Sequence, residues 1–346
     1  MKTRFIPALL PSMIFLIGVC LSMGAQDRNS LPYKESHPEC QPKTDLRPDK
    51  IVLLYPEGQA AGKGIVENGV EITFGPTEDN GLRGEETCNK SGSRKNIGDD
   101  ARMDLYFPDK PNGLMVIMTP GGGFSHLSTF NEGAYGSKWM VDHGVTVCML
   151  KYRLPNGHKT VPLDDVHNAF RYCRHHAAEW GVKKIGITGG SAGGYLSSLA
   201  SVMYKDAVTR PDFAVLLYPR ITIRRGEKCS TKDNLLGKDE TWDEDVETHL
   251  KLLEEYSPDT HVNGNTPPTF IVLSADDNSV PATNFIPYYT RLIENNVPVE
   301  LHVYPSGGHG WGYSSEEYKG EGKDRFARYR PEFEAALSRW LEDQML

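Results

Sequence analysis

Apolar and polar positions alternate in two registers along this chain. Short runs with a period of two, or with no polar break, predict strands at Ile51–Leu54, Val70–Phe74, Arg102–Phe107, Leu114–Thr119, Val145–Leu150, Lys184–Thr188, Phe213–Tyr218, Thr269–Ser274 and Val299–Tyr304. Leu114–Thr119 (LMVIMT) is nearly all apolar, the pattern of a central strand buried on both faces. Three- and four-residue spacing predicts helices between them. Pro162–Trp180 puts Leu163, Val166, Phe170, Cys173, Ala177 and Trp180 on one face. Further helices are expected near Glu132–His143, after Ser191, at Pro281–Asn296 and at Pro331–Leu346, the last with Phe333, Ala336, Leu337, Trp340 and Leu341 in line. This alternation means an α/β fold, a mainly parallel central sheet with helices on both faces. Pro219–Pro268 interrupts it with a charged, helix-like stretch at Trp242–Tyr256. It reads as a small cap above the C-terminal edge of the sheet. The competing reading is a solvated insertion that never meets a ligand.

The N-terminus follows another pattern. Lys2 and Arg4 precede an apolar run ending in small residues at Ser22-Met23-Gly24-Ala25, so residues 1–25 read as a cleaved signal peptide. The mature protein is then expected to be secreted or periplasmic. Lipid anchoring at Cys20 ranks second, because Val19 is bulkier than such sites prefer. Residues 26–50, polar and proline-rich, read as an extended arm, and residues 51–346 as one catalytic domain. The whole chain carries a formal charge of −8, and removing the two leader cations makes it −10. That balance argues against nucleic acid or an anionic membrane as partner.

Five cysteines remain beyond the leader. Cys148 and Cys173 fall on apolar faces and read as core thiols. Cys40, Cys88 and Cys229 lie in loop-like segments, where an oxidising compartment permits one disulfide among the three. No paired-cysteine or paired-histidine spacing suggests zinc, and no Gly-x-Gly-x-x-Gly suggests a dinucleotide, so neither metal nor cofactor is expected.

The chemistry gathers at predicted strand ends. Lys184–Ser201 reads as strand, glycine-dense turn and small-residue helix, with Gly189-Gly190-Ser191-Ala192-Gly193 at the turn. A serine at such a tip needs neighbours without side chains, and the helix N-terminus behind it favours negative charge. The bland alternative is a serine in a glycine-rich turn. After Leu114–Thr119 comes Pro120-Gly121-Gly122-Gly123-Phe124, whose bare amides can close on an oxyanion; Gly122, Gly123 and Ala192 are the expected donors. Asp276 and Asp277 follow Thr269–Ser274, and Gly307-Gly308-His309 follows Val299–Tyr304. Serine, acid and histidine thus leave one sheet edge in that order, as Ser191, Asp277 and His309. A serine hydroxyl needs an imidazole to take its proton, and the imidazole needs a carboxylate to hold its tautomer. Of 11 histidines, His126 and His158 are the others in loops near this edge. Phe124, Tyr195, Trp242 and Trp311 could line a substrate pocket.

With these residues in view, the chain resembles the α/β-hydrolase esterases, within them the secreted bacterial branch that includes acetylxylan-esterase-like proteins. The resemblance runs from about Ile51 to the C-terminus. It rests on Pro120–Phe124, Lys151-Tyr152-Arg153-Leu154-Pro155, Gly189–Gly194, Pro267–Phe270, Asp277 with Val280-Pro281, and Tyr304–Gly310. Related lipases and esterases often place histidine before the three glycines; this chain has Pro120. The resemblance implies an α/β-hydrolase fold and a serine esterase that removes small acyl groups, acetyl foremost, from an oligo- or polysaccharide such as acetylated xylan. A feruloyl esterase, with a larger aromatic slot, is the nearest alternative. A peptidase of the same fold and a non-catalytic carbohydrate-binding scaffold follow.

Overall fold

A computed structural model describes residue 40 and residues 42–224, 229–238, 246–313 and 315–346. The predicted leader, Cys20, most of the 26–50 arm and Trp242 lie outside the described residues. Eight strands form one sheet: β1 (Lys50–Leu53), β2 (Arg102–Tyr106), β3 (Leu114–Thr119), β4 (Thr146–Lys151), β5 (Lys184–Gly190), β6 (Ala214–Leu217), β7 (Thr269–Ser274) and β8 (Val299–Tyr304). Their spatial order is β1-β2-β4-β3-β5-β6-β7-β8. The pairings of β2 are antiparallel and the rest are parallel. Leu114 to Met118 of β3 are at most 2% exposed, as a strand with neighbours on both edges and helices on both faces requires.

The helices are α1 (Tyr135–Asp142), α2 (Val161–His176), α3 (Ser191–Val202), α4 (Ser230–Leu236), α5 (Val246–Glu255), α6 (Ile286–Glu294), the single turn α7 (Glu316–Lys319) and α8 (Arg330–Met345). Prolines stand in the first turn of α2, α6 and α8, where a missing N–H costs nothing. Among the described residues, no helix is long and apolar enough to cross a membrane.

Three expectations need correction. The Val70–Phe74 run does not join the sheet. Only Val70–Glu71 pairs, in a hairpin with Val66–Glu67. Beyond it the Ile72 and Thr73 amides donate to Ile65 O and the Phe74 amide donates to Asn168 Oδ1, so the ladder ends. The helix expected from Glu132 opens as a wider π-helical turn at Phe130–Ala134 before α1 begins. Among its described residues the Pro219–Pro268 excursion holds two α-helices, α4 and α5, where one was expected, and α4 follows directly on Cys229.

Two clasps hold the loops behind the sheet edge. Arg153 and Asp165, both fully buried, pair at 2.7 Å, and Tyr55 donates to the same carboxylate at 2.7 Å. Breaking such a buried pair by removing one partner costs about 3–5 kcal/mol. Glu86 receives both Lys151 and, at 2.6 Å, Arg94. Between these residues Tyr152 donates its hydroxyl to Pro120 O at 2.7 Å. The Lys151–Pro155 motif is therefore structural: it fixes the loop that carries Gly121–Gly123. The disulfide joins Cys40 to Cys88, with Cα atoms 5.8 Å apart. Cys229 takes no part in it; its Sγ accepts the Lys232 amide at 3.5 Å.

Candidate active site

The parallel strands deliver the predicted residues to one edge. Gly189 of β5 lies opposite Thr119 of β3, so the turn carrying Ser191 leaves beside the triple-glycine loop. The turn is tight enough to demand glycine. A Cβ on Gly193 would stand 1.9 Å from Thr119 O, and one on Gly189 would stand 2.5 Å from the Gly193 carbonyl. Ser191 itself takes φ 54°, a left-handed conformation that side chains adopt at a cost and that lifts its hydroxyl off the helix. Thr119 Oγ1 ties the two elements together through Gly193 O at 2.9 Å and Ser197 Oγ at 2.8 Å.

Ser274 of β7 lies opposite Tyr304 of β8, which brings the next two loops level. Ser191 Oγ is 2.8 Å from His309 Nε2, and His309 Nδ1 is 2.6 Å from Asp277 Oδ2. Asp277 Oδ1 accepts the amides of Ser279 and Val280 at 2.8 and 2.9 Å. Burial raises its pKa, but the His309 hydrogen bond and the two amides outweigh that, so the carboxyl is held below its ordinary value. An ionised Asp277 accepts from Nδ1–H. Nε2 is then left to accept from the serine hydroxyl. Asp276 is exposed and instead accepts the Gly308 amide at 2.8 Å.

The triple-glycine loop takes φ values of 128° at Gly122 and 61° at Gly123. A Cβ on Gly122 would stand 2.2 Å from His126 O. The first amides of α3, Ala192 among them, have no intrahelical acceptor. Gly122, Gly123, Ser191 and His309 share a cavity of about 380 Å³ with His126, Ser128, Arg220, Ser230, Ser279 and Val280. Its described lining includes no Phe, Tyr or Trp. Burial and nearby Lys95 push the His126 pKa down, which favours a neutral ring at the cavity wall. His158 is absent from that wall. Ser230 and Thr231 line the cavity, and Asn234 Nδ2 donates to Gly123 O at 2.8 Å, so the excursion does meet the site.

The structure places two of the expected aromatics away from the cavity wall. Phe124 and Tyr195 are at most 2% exposed and pack edge-on, 5.9 Å apart, beneath the loop. With φ 59°, Phe124 turns back into the core once Gly122 and Gly123 have taken the exposed bend. Trp311 is also buried, stacked on Phe326 at 3.9 Å and donating to Ser274 Oγ at 3.1 Å, and it borders a neighbouring cleft.

Three residues not singled out from the sequence brace the site: Glu132, Tyr218 and Arg220. Glu132 Oε2 accepts the Gly121 amide at 2.6 Å, and its Oε1 accepts the Tyr218 hydroxyl at 2.8 Å. Tyr218 in turn accepts the Gly312 amide at 2.9 Å and lies edge-on to the His309 ring. One buried carboxyl thus links the triple-glycine loop to the histidine loop, and burial raises its pKa. Arg220, nearly buried at the cavity wall, donates its amide to Ser191 O at 3.1 Å. Three side chains with metal-ligand chemistry, Glu67, His175 and His176, bring ligand atoms within 4.8 Å of one another. They sit on the Val66–Glu71 hairpin and the last turn of α2, not on the loops around Ser191.

Comparison with known proteins agrees with this architecture. The BD-FAE family model matches residues 103–292. An acetylxylan esterase of Xylanibacter ruminicola is 36% identical over 256 residues, covering 71% of this chain and 49% of that protein. Endo-1,4-β-xylanase B of Butyrivibrio fibrisolvens is 29% identical over 62% of this chain and 35% of its own length. The chain therefore spans half or less of these curated relatives. Among solved structures, an acetyl ester-xyloside bifunctional hydrolase from Caldicellulosiruptor lactoaceticus superposes with a TM-score of 0.56 at 28% identity, over 70% of this chain and 88% of that one. A sugar hydrolase from Lactococcus lactis gives 0.58 at 25%, over 75% and 98%. The fold is that of an α/β-hydrolase.

Proposed function

The chain belongs to the BD-FAE family of α/β-hydrolases, and on that premise we propose that it is a serine esterase removing short acyl groups, acetyl foremost, from carbohydrate. The carrying observation is the hydrogen-bonded line from Ser191 through His309 to Asp277. In this reading Ser191 Oγ attacks the ester carbonyl while His309 Nε2 takes its proton. The amides of Gly122, Gly123 and Ala192 hold the oxyanion. His309 then protonates the departing sugar oxygen, leaving an acetyl ester on Ser191 Oγ, whose hydrolysis gives acetate. Water, activated by the same imidazole, releases it.

A cavity of about 380 Å³ with a polar, non-aromatic described lining suits a short acyl group better than ferulate. The names of similar proteins, acetylxylan esterase and acetyl ester-xyloside hydrolase, support carbohydrate as the alcohol. The leader pattern of residues 1–25 and the Cys40–Cys88 disulfide support an extracytoplasmic location. The test is a panel of nitrophenyl acetate, nitrophenyl butyrate, methyl ferulate and acetylated xylan. Acetate should be released from the xylan, and the acetyl ester should turn over faster than the butyryl. Faster hydrolysis of methyl ferulate than of any acetyl ester would overturn the acyl assignment.

A further inference from the structure

His309 has two sides. One faces the cavity around Ser191. The other borders a larger cleft, about 660 Å³, that shares Asn131, His309 and Gly310 with the first. The geometry of acyl transfer orders the two spaces. The imidazole hands its proton to the leaving oxygen, so the alcohol departs on the histidine side. The larger cleft is therefore where the rest of the substrate lies.

Its charge is opposite to that of the molecule. The chain carries −8 overall, yet the cleft is lined by Lys43, Lys90, Lys319, Lys323 and Arg325, with no Asp or Glu in its described lining. Lys319 is engaged, donating to Trp311 O and standing 3.8 Å from Asp324. Lys43, Lys90, Lys323 and Arg325 are exposed, and among the described residues none has a carboxylate partner. Arg325 is fixed instead by its bond to His309 O at 3.1 Å. Tyr318, half-buried and stacked on Tyr135 at 5.1 Å, gives the same wall an aromatic surface suited to a sugar ring. The wall is built rather than incidental. The Cys40–Cys88 bridge packs with Phe130 and Tyr135 and ties the segments carrying Lys43 and Lys90 to the cleft. Unpaired cations gathered against an acidic net charge focus the field toward an anionic ligand.

We propose that this cleft is a leaving-group subsite for an acidic glycan, a carbohydrate bearing uronate carboxylates near its acetyl esters. The proposal rests on the esterase reading for its place in the reaction, but binding tests it independently. The probes are a xylo-oligosaccharide, the same oligosaccharide with a glucuronic acid branch, and trigalacturonate, all without acetyl groups. Binding to the Ser191→Ala protein is read by calorimetry. At low salt, at least one acidic probe should bind about fivefold or more tighter than the neutral one, and 0.5 M NaCl should erase the difference. The two acidic probes distinguish a branch uronate from a backbone uronate. Exposed ion pairs are each worth a few tenths to about 1 kcal/mol, so Lys90→Gln with Lys323→Gln should cut the acidic-to-neutral affinity ratio about threefold to tenfold. Equal affinities, a preference that salt leaves untouched, or an unchanged ratio in the double variant would each overturn the subsite. Failure of the wild-type protein to hydrolyse nitrophenyl acetate would instead strike the esterase reading and leave the binding result standing.

Discussion

Replacing Asp277 by Asn separates the role of its charge from that of its shape. Asp277 Oδ1 already accepts two amides, from Ser279 and Val280, so in Asp277→Asn the carbonyl oxygen stays with them. The new NH₂ group must then occupy the Oδ2 position, 2.6 Å from His309 Nδ1. Two donors cannot share that contact, so Nδ1 gives up its hydrogen and accepts. The neutral ring then carries its proton on Nε2, which faces Ser191 Oγ at 2.8 Å and can no longer act as a base. The same substitution in a well-studied serine protease lowers kcat about 10⁴-fold, near 5 kcal/mol of barrier. Asp276→Asn is the control. Its side-chain oxygen can go on accepting the Gly308 amide, so a loss below about tenfold is expected. The assay is kcat on nitrophenyl acetate for both variants, with circular dichroism to show that each is folded. A folded Asp277→Asn protein within tenfold of wild type, or a larger loss at Asp276, would refute the tautomer argument.

Glu132→Ala strips the acceptor from the Gly121 amide and the Tyr218 hydroxyl at about 1–3 kcal/mol each, so both Tm and kcat should fall while Glu132→Gln restores part of kcat; equal kcat for wild type and the alanine variant would deny Glu132 a positioning role. Gly193→Ala drives a methyl group to 1.9 Å from the β3 backbone at Thr119 O, so the protein should lose its folded state or melt many degrees lower, as calorimetry would read. His167 is buried on α2, and desolvation, helped by Lys205, pushes its pKa down to about 4. Below pH 6.5 the unfolded chain takes up a proton that the folded one refuses, so stability is lost as pH falls. The loss should reach about 2–3 kcal/mol by pH 4.5, and His167→Gln should flatten the Tm profile between pH 7 and 4.5.

The parts of this molecule legible in its sequence are those set by local pattern. β3 and β7 announce themselves as apolar runs and β5 and β8 by alternation, and glycines crowd where two backbones must touch, as at Gly189 and Gly193. Because β5, β6, β7 and β8 run parallel, the loops carrying Ser191, Asp277 and His309 share an edge once the strand order is known. What stayed hidden depends on where a side chain turns. Phe124 follows three glycines and reads as a pocket residue, yet its positive φ sends it into the core. Glu132 reads as a polar residue at a helix start. Only the fold shows that the wider turn at Phe130–Ala134 aims it under Gly121. The Cys40–Cys88 pairing and the cationic cleft beside it join segments too distant in sequence for spacing to connect.

The central claim is that Ser191 is the nucleophile, and covalent capture tests it most directly. The protein is treated with a fluorophosphonate, whose phosphorus is attacked by an activated serine with loss of fluoride, and its intact mass and peptide map are read by mass spectrometry. One adduct per chain is expected, on the peptide holding Gly190-Ser191-Ala192, with esterase activity lost in proportion and no adduct on Ser191→Ala. Stoichiometric labelling at another serine, or full activity in a protein wholly labelled at Ser191, would contradict the account.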